Sequence, residues 1–530
     1  EEELAQAEQV CGASLGLYAN ELVQLARMNL LDTLAAPTER LWVSHAFTGC
    51  SGEVRRPASV FIALERMFPN AARVGGIEPG TLHGVPAVLF APGPMLDALG
   101  PLLREAMSGI PLSPEWRESL AALLADDEWG VRCRRLLNGL RPDEELSPLD
   151  PRTTKALYAR ASQSVTRLET FASCPYRHFV RYGLRPQENR AYGVERDEAG
   201  TFYHQVMEAY VREALLLSDR WPAHWTREES DALCDRIMQP FLQAWEAGPL
   251  GENAVQRLVG RRYARVARRA AWTFSRQMQA CAFWPAEMEL RFGMGGPLPP
   301  FFLELPDGQR LALEGRIDRI DLWEDEERLY LRILDYKSGQ TEVQPTKVYY
   351  GLQLQLLLYL AVSLRAFPQA CPAGAFYFHV DEPIVNEPSR LKEAVEDRLM
   401  KTLRLKGIVL SELKVVKAMD TGEQPLSLPE IFKRDGEPRA NASAVSETEM
   451  TALLHHAQEV GVRLATRINA GHLERRPAEI QNWSACEWCE YRTICLRDPR
   501  QAGRRLEKMD HREMVARILK EQSKDRPSDD

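Results

Sequence analysis

Two short runs, EGRIDRID at Glu314–Asp321 and ILDYKSG at Ile333–Gly339, restrict what this chain can fold into more than any other part of it. Both lie in stretches of apolar-polar alternation, so each reads as a strand, and the acidic EDEE between them reads as the turn joining two strands of one sheet. Side chains at i and i+2 share a strand face, so Asp335 and Lys337 project the same way, with Leu329, Leu331 and Ile333 in the same parity beneath them. Asp318, on the preceding strand after Gly315, supplies a second carboxylate if the glycine allows a bend. Metal-assisted phosphodiester cleavage requires such a set. The acids offer oxygen ligands to Mg²⁺, and the ammonium orients the attacking water or stabilises charge building on the phosphate. The plainer alternative is a surface Asp and Lys at a strand end.

The surroundings predict an α/β region. EMELRFG from Glu287, RLALEGRIDRIDLW and ERLYLRILDYKSG read as successive strands, Gln353–Phe367 as an apolar helix, and GAFYFHV at Gly374–Val380 as a further strand, which makes a strand-helix-strand crossover. Upstream, Ser164 is placed to cap a helix that turns Leu168, Phe171 and Phe179 toward a core, and long helices are predicted over Gly200–Leu217 and Gln256–Phe274. The stretch Pro383–Ala444 has no clear pattern; a helix follows over Ser446–Ile468, then a charged tail from Arg500, helical at first and frayed at its end. The start of the chain reads as mixed α/β, with helices over Glu21–Leu34 and Ala58–Met67 and a strand, LWVSH, at Leu41–His45. The polar, proline-bearing run Arg141–Arg152 reads as a linker. At 530 residues the chain exceeds what one core usually organises, and the expected division is 1–150, 151–500 and a tail, 501–530.

Three further groups of residues suit the same chemistry. His204 stands early in a helix after Gly200, where a neutral imidazole could complete a metal site, although a lone helical histidine is more often structural. Gln355 and Tyr359, four apart, share a helix face that could reach over the site or its DNA; Gln353 is the register alternative, and a polar border on a buried helix is the bland one. Arg261, Arg265, Arg268 and Arg269 fall on one side of a helix, as a phosphate-tracking stripe or an ordinary solvated face.

Among ten cysteines, Cys486, Cys489 and Cys495 form C-x2-C-x5-C, and Cys174 lies far upstream as the candidate fourth thiolate. Four thiolates suit tetrahedral Zn²⁺ or a 4Fe-4S cluster, and spacing does not separate them. The other six, Cys11, Cys50, Cys133, Cys234, Cys281 and Cys371, are scattered and read as small buried apolar residues. The net charge of -8 argues against a uniformly basic coat without excluding a local basic channel. No apolar run approaches the ~18 residues a bilayer span needs, and EEELAQAEQV lacks a secretion-signal pattern, so a cytoplasmic protein is expected. The start at Glu1 without Met suggests a piece of something longer.

These residues resemble RecB-type nucleases of the PD-(D/E)xK superfamily and, within it, the AddB-type subunits of helicase-nucleases, over roughly Ser164–Leu496. GTFYH with His204, AEMELRF with Glu289, GRID with Asp318, DYK with Asp335 and Lys337, and the Q-x3-Y stretch with Gln355 and Tyr359 look like the family's motifs. Glu287 is the alternative to Glu289, two residues away on the same strand face. The resemblance implies a nuclease core with a mixed sheet flanked by helices, preceded by the end of a helicase-like α/β domain. It implies His204, Asp318 and Asp335 as Mg²⁺ ligands, Lys337 assisting attack, and Glu289, Gln355 and Tyr359 supporting metal or substrate. It also turns the choice for Cys174, Cys486, Cys489 and Cys495 from Zn²⁺ to a 4Fe-4S cluster. RLWVSHA stands where related helicases place a late ATPase motif, with His45 where an active motor would have arginine, and no G-x4-G-K-[ST] loop occurs. The motor would then belong to an AddA-type partner, and the expected activity is Mg²⁺-dependent 5′ to 3′ cleavage of single-stranded DNA from a broken duplex end. A catalytically silent DNA-binding scaffold and a stand-alone RecB-like nuclease of another pathway are the competing readings.

Overall fold

The computed structural model describes residues 19–45, 56–71, 92–140 except 108, 146–158, 162–186, 196–246 except 218–220 and 223, 254–383 except 340, 392–432 except 423–424, 443–497 except 496, and 502–524, with 385 and 439. Its contacts fall into two compact units, one built from the described residues up to Leu140 and one from Leu146 onward.

Among the described residues the first unit is helical. Helices run over Ala19–Ala35, Ser59–Met67, Pro92–Met107, Pro114–Ala125 and Trp129–Gly139, and Leu99, Leu103, Trp116, Leu123 and Cys133 form a small core between the last three. The strand predicted at Leu41–His45 is a correction: these residues have no regular structure, and Leu41, Trp42 and Val43 are exposed. Strand preference is a preference for a pleated, half-buried surface, and among the described residues no strand pairs with this run. His45 instead sets its ring edge-on to Phe61, 4.5 Å between centroids.

The second unit is built on an eight-stranded mixed sheet. Its strands are β1 (Gln163–Ser164), β2 (Trp284–Phe292), β3 (Phe301–Glu304), β4 (Arg310–Glu324), β5 (Leu329–Lys337), β6 (Ala370–His379), β7 (Lys406–Leu410) and β8 (Ala444–Val445). The order is β1-β4-β5-β6-β7-β8, with β2 and β3 each antiparallel to a different part of β4. A separate small sheet joins β9 (Ala478–Ile480), β10 (Trp483–Ser484) and β11 (Arg504–Arg505). β5 and β6 are parallel, which requires the predicted crossover helix between them.

Helices α1 (Val165–Ser173), α2 (Arg196–Leu216), α3 (Arg227–Glu246), α4 (Ala254–Gln279), α5 (Gln355–Ala366), α6 (Glu447–Asn469) and α7 (His511–Lys524) flank the sheet. α1, α5, α6 and α7 pack with Leu331 and Ile333 of β5, whereas α2, α3 and α4 pack with Tyr330, Leu334 and Tyr336. Two hydrophobic layers therefore cover opposite faces, as strand alternation requires. α6 starts where its sequence says it should, at a capping box in which the Ser446 hydroxyl accepts from the Glu449 amide and the Glu449 carboxylate accepts from the Ser446 amide.

Local chemistry shifts several expected boundaries. The helix after Ser164 does not run through to Phe179: it ends at Ser173, because Pro175 pushes Cys174 into extended backbone and opens a separate turn, Pro175–His178, followed by a π-helical segment to Leu184. In the linker, Arg141–Glu145 lies outside the described residues, but Pro151 already begins a helix, with Asp150 accepting from the Arg152 and Thr153 amides. The unassigned stretch Pro383–Ala444 contains two helices, Lys392–Thr402 and Leu413–Met419, and strand β7. The charged stretch after Arg500 holds β11 and α7, whose Met514, Val515 and Ile518 are buried in the core beneath α6.

Candidate active site

The catalytic candidates meet where β2, β4 and β5 lie beside the early part of α2 and the first turn of α5. Gly315 makes room on β4: a Cβ there would lie 2.7 Å from the Tyr359 hydroxyl and 2.9 Å from the Phe292 ring. The Tyr359 ring stands edge-on to Phe292 at 5.5 Å. Tyr359 thus packs against the part of β4 that precedes Asp318.

Asp318 is buried, and its Oδ2 accepts from the Tyr336 amide of β5 at 2.6 Å, which ties the two acid-bearing strands together. Its other oxygen lies 3.3 Å from His204 Nδ1, and Glu289 Oε1 lies 3.6 Å from the same nitrogen. Glu289 occupies this place in a left-handed backbone conformation, φ 52°, that a non-glycine residue adopts at a cost of order 1–3 kcal/mol. The turned backbone helps bring Glu289 rather than Glu287 to the group: ligand atoms of His204, Glu289 and Asp318 all lie within 4.8 Å of one another.

Asp335 is held differently. Its Oδ2 is 2.5 Å from Lys337 Nζ and its Oδ1 accepts from Gln355 Nε2 at 2.7 Å, while Lys337 donates to Gln355 Oε1 at 3.3 Å. Gln355 therefore bridges the acid and the lysine, whereas Gln353, the register alternative, is engaged with the backbone of Gln344 and Glu342 in a loop. Asp335 lies within electrostatic reach of both Asp318 and His204.

Burial sets the charges. It pushes Asp335 up to about 6, with Asp318 adding to the shift and Lys337 opposing it. Burial also disfavours the Lys337 ammonium, but Asp335 outweighs that and keeps the lysine charged. For His204, burial likewise works against the cation, yet Asp318 and Glu289 hold the imidazolium up to about 10. Nδ1 of His204, both oxygens of Glu289 and Oδ2 of Asp335 are buried without a hydrogen bond of good geometry. Lys337 and Arg316 lie in ion-pair range of Asp335 Oδ2 and Glu289 Oε2, and the converging carboxylates beside an imidazole fit a divalent cation.

Two neighbours of these residues escaped sequence reasoning. Arg316, inside the GRID run itself, sets Nε 2.5 Å from Glu289 Oε2. Glu169 accepts from the Leu354 and Gln355 amides at the start of α5, and burial pushes its carboxyl up to about 7 against the pull of those amides. The signal for Glu169 was available: it stands at i+4 from Val165 and one residue past Leu168, an acid on an otherwise buried helix face. The arginine stripe of α4 is largely committed within the fold: Arg265 pairs with Glu382, Arg268 with Asp235 and Arg269 with Glu396.

Cys174, Cys486, Cys489 and Cys495 line one cavity of about 110 Å³. They do not close up on a point: among the described residues, no three cysteine sulfurs lie within 4.8 Å of one another. Burial, reinforced by Cys486 and Cys495, pushes the Cys174 thiol up to about 12. Of the remaining cysteines, Cys133 and Cys234 are buried and Cys281 and Cys371 half-buried, while Cys11 and Cys50 lie outside the described residues. Among the described residues no helix is long and apolar enough to cross a membrane.

A mixed sheet between helical layers, with an acid on one strand, a D-x-K pair on the next and a glutamine helix over them, defines a nuclease fold. The comparison with known families agrees: residues 162–496 match the PD-(D/E)XK nuclease superfamily, and the chain belongs to it. Over most of its length it is also similar to proteins named as the B-type member of an ATP-dependent helicase/deoxyribonuclease. That of Alkaliphilus oremlandii (strain OhILAs) is 30% identical over 496 residues, covering 92% of this chain and 43% of that protein. That of Moorella thermoacetica (strain ATCC 39073 / JCM 9320) is 32% identical over 511 residues, covering 94% and 44%. That of Desulforudis audaxviator (strain MP104C) is 32% identical over 473 residues, covering 87% and 40%. The chain thus spans less than half the length of these curated relatives.

Proposed function

We propose that this chain cuts DNA by Mg²⁺-dependent phosphodiester hydrolysis, as the nuclease part of an ATP-dependent helicase-nuclease that processes broken duplex ends for recombinational repair in the cytoplasm. The observation that carries the reading is the juxtaposition of the His204, Glu289 and Asp318 group with the Asp335–Lys337–Gln355 bridge. The relatives are named as deoxyribonuclease subunits, and a name that marks them as one subunit among others supports an AddA-type helicase partner. By the same reading the substrate is a single strand unwound from the end and cut 5′ to 3′.

His204, Asp318 and Asp335 would hold the cation, with Glu289 at the same group. Bound there, Mg²⁺ would supply Lewis-acid activation of the phosphate and lower the pKa of water. The protein's own residues do the rest. Lys337 keeps a charged ammonium beside Asp335, where it orients the nucleophile and offsets the extra negative charge of the pentavalent phosphate. Gln355 fixes both members of that pair, so little reorganisation is left for the reaction itself. His204 must give up its proton when a cation arrives, since Asp318 and Glu289 hold it as imidazolium in the cation's absence. Asp335→Ala is expected to abolish cleavage of end-labelled single strands in Mg²⁺ without altering the circular dichroism spectrum; retained cutting would refute the assignment.

The four cysteines are read as ligands of a 4Fe-4S cluster that fastens the start of the nuclease region to its end. Thiolates around one Zn²⁺, bonded at ~2.3 Å, would sit ~3.8 Å apart. The wider spread of sulfurs around the 110 Å³ cavity leaves room for a polynuclear centre. Elemental analysis separates the two: iron with inorganic sulfide supports the cluster, and zinc without iron overturns it.

A further inference from the structure

The helix that carries Gln355 begins against a carboxylate from a distant part of the chain. The first amides of an α-helix have no acceptor within it, and an N-cap side chain usually supplies one. Here the N-cap position is Leu354, which has no side-chain oxygen and makes no cap. Glu169 of α1 takes over: its Oε1 accepts from the Leu354 amide at 2.7 Å and from the Gln355 amide at 2.9 Å. One oxygen thus fixes the backbone of the very residue whose side chain bridges Asp335 and Lys337.

We propose that Glu169 is a positioning residue for phosphodiester cleavage: by capping α5 from outside, it sets the place of Gln355 and through it the geometry of the Asp335–Lys337 pair. Two features of the surroundings make the contact specific. α1 is held by the core along the same face, where Val165, Leu168 and Ala172 are buried, so Glu169 projects from a fixed base. Tyr359, one turn along α5, packs edge-on against Phe292 of β2 with its hydroxyl close over Gly315 of β4, so the helix has a second point of contact beyond the Glu169 cap. An attack geometry misplaced by about an ångström costs on the order of a hundredfold in rate, so a cap of this kind acts on turnover more than on DNA binding.

This inference rests on Asp335 and Lys337 performing the chemistry, and the test separates the two. The full chain is assayed on end-labelled single-stranded DNA with Mg²⁺, comparing Glu169→Ala, Glu169→Gln and Asp335→Asn. Hydrogen exchange of the peptide spanning Leu354 and Gln355 is measured on each variant. Glu169→Ala is expected to lower kcat by about 10- to 100-fold with KM for DNA within about twofold, and to speed exchange at the first amides of α5. Glu169→Gln, whose carbonyl oxygen can still accept from both amides, is expected to restore most of the rate and the protection. A merely structural role would lower the folded fraction without this split between kcat and KM and without amide rescue. Wild-type kcat in Glu169→Ala, or unchanged exchange, overturns the inference while a dead Asp335→Asn leaves the proposed function standing. Cleavage by Asp335→Asn, or none by the wild-type chain, overturns the proposed function; exchange alone then decides whether Glu169 caps α5. If Glu169→Ala does not fold, Glu169→Asp is compared with Glu169→Gln: equal, wild-type rates in both overturn the inference, and a slow Asp with a fast Gln supports it.

Discussion

β4 and β5 each carry buried charge on both faces, and the two faces treat it in opposite ways. On one, Asp321 sits between two arginines. Its Oδ1 is 2.7 Å from Arg319 Nε, its Oδ2 accepts from Arg332 Nε at 2.9 Å, and the guanidinium carbons of Arg319 and Arg332 lie 4.3 Å and 4.8 Å over the Phe274 and Phe283 rings. All three residues are at most 2% exposed. Three positions along each strand, and so on the opposite face, Asp318 and Asp335 carry charge beside His204, Glu289 and Lys337, where ligand atoms of His204, Glu289 and Asp318 converge. The first arrangement encloses one carboxylate between two cations, and the second gathers several carboxylates around an imidazole and an ammonium. Buried charge by itself therefore does not mark a site; what marks it is carboxylates converging beside an imidazole, where the other face holds a single acid between two arginines.

The sharpest way to break that contrast is to remove one acid from each face. Asp335→Ala should reduce single-strand cleavage about a thousandfold or more while the urea midpoint changes little, because what it removes acts in the transition state. Asp321→Ala should do the reverse. It leaves two buried arginines without their carboxylate, which costs about 3–5 kcal/mol in equilibrium unfolding, yet the molecules that remain folded should turn over normally. Equal losses of stability from both substitutions would erase the distinction.

A smaller effect follows at the metal group. His204 carries a proton up to about pH 10 when no cation is bound, so Mg²⁺ or Mn²⁺ binding should release a proton and tighten as pH rises toward that value. Titration calorimetry in buffers of different ionisation enthalpy measures the release; His204→Gln should abolish it and weaken binding about tenfold or more. The smallest effect is expected at His178, which is fully buried, accepts from Arg167 Nε at 3.2 Å, and is pushed down by burial from 6.5 to about 3. Its contribution to stability is complete above pH 6.5 and drains away as pH falls toward about 3, because the unfolded chain takes up the proton first. Urea melts between pH 7 and 5 should show that slope, and His178→Gln should flatten it.

How far sequence alone reaches varies with the kind of signal. Asp335 and Lys337 were legible because strand alternation is a two-residue rule that needs nothing beyond the strand, and the α6 start was legible because Ser446 and Glu449 form a self-contained motif. Gln353 and Gln355 straddle the start of α5, and only the loop contacts of the first and the cap under the second tell them apart. Glu289 could not be separated from Glu287 by parity; the difference is a φ of 52°, which no residue pattern announces. FFLE at β3 went unread because four residues are too few for periodicity, and their pairing with Leu311 and Leu313 is a tertiary fact. The α4 arginines looked available because Glu382 and Glu396, which take two of them, are more than a hundred positions away.

The ends of the second unit are stitched to each other. The Leu149 amide donates to Gly471 O, Arg504 donates to Ala172 O, and the Met509 amide donates to the Thr346 hydroxyl. A growing polypeptide that has reached α6 still lacks β11 and α7, so Val515 and Ile518 are not yet present to cover that side of the core. Until α7 has emerged from the ribosome that side of the core lacks its cover, and apolar surface left open in this way invites chaperone binding and self-association.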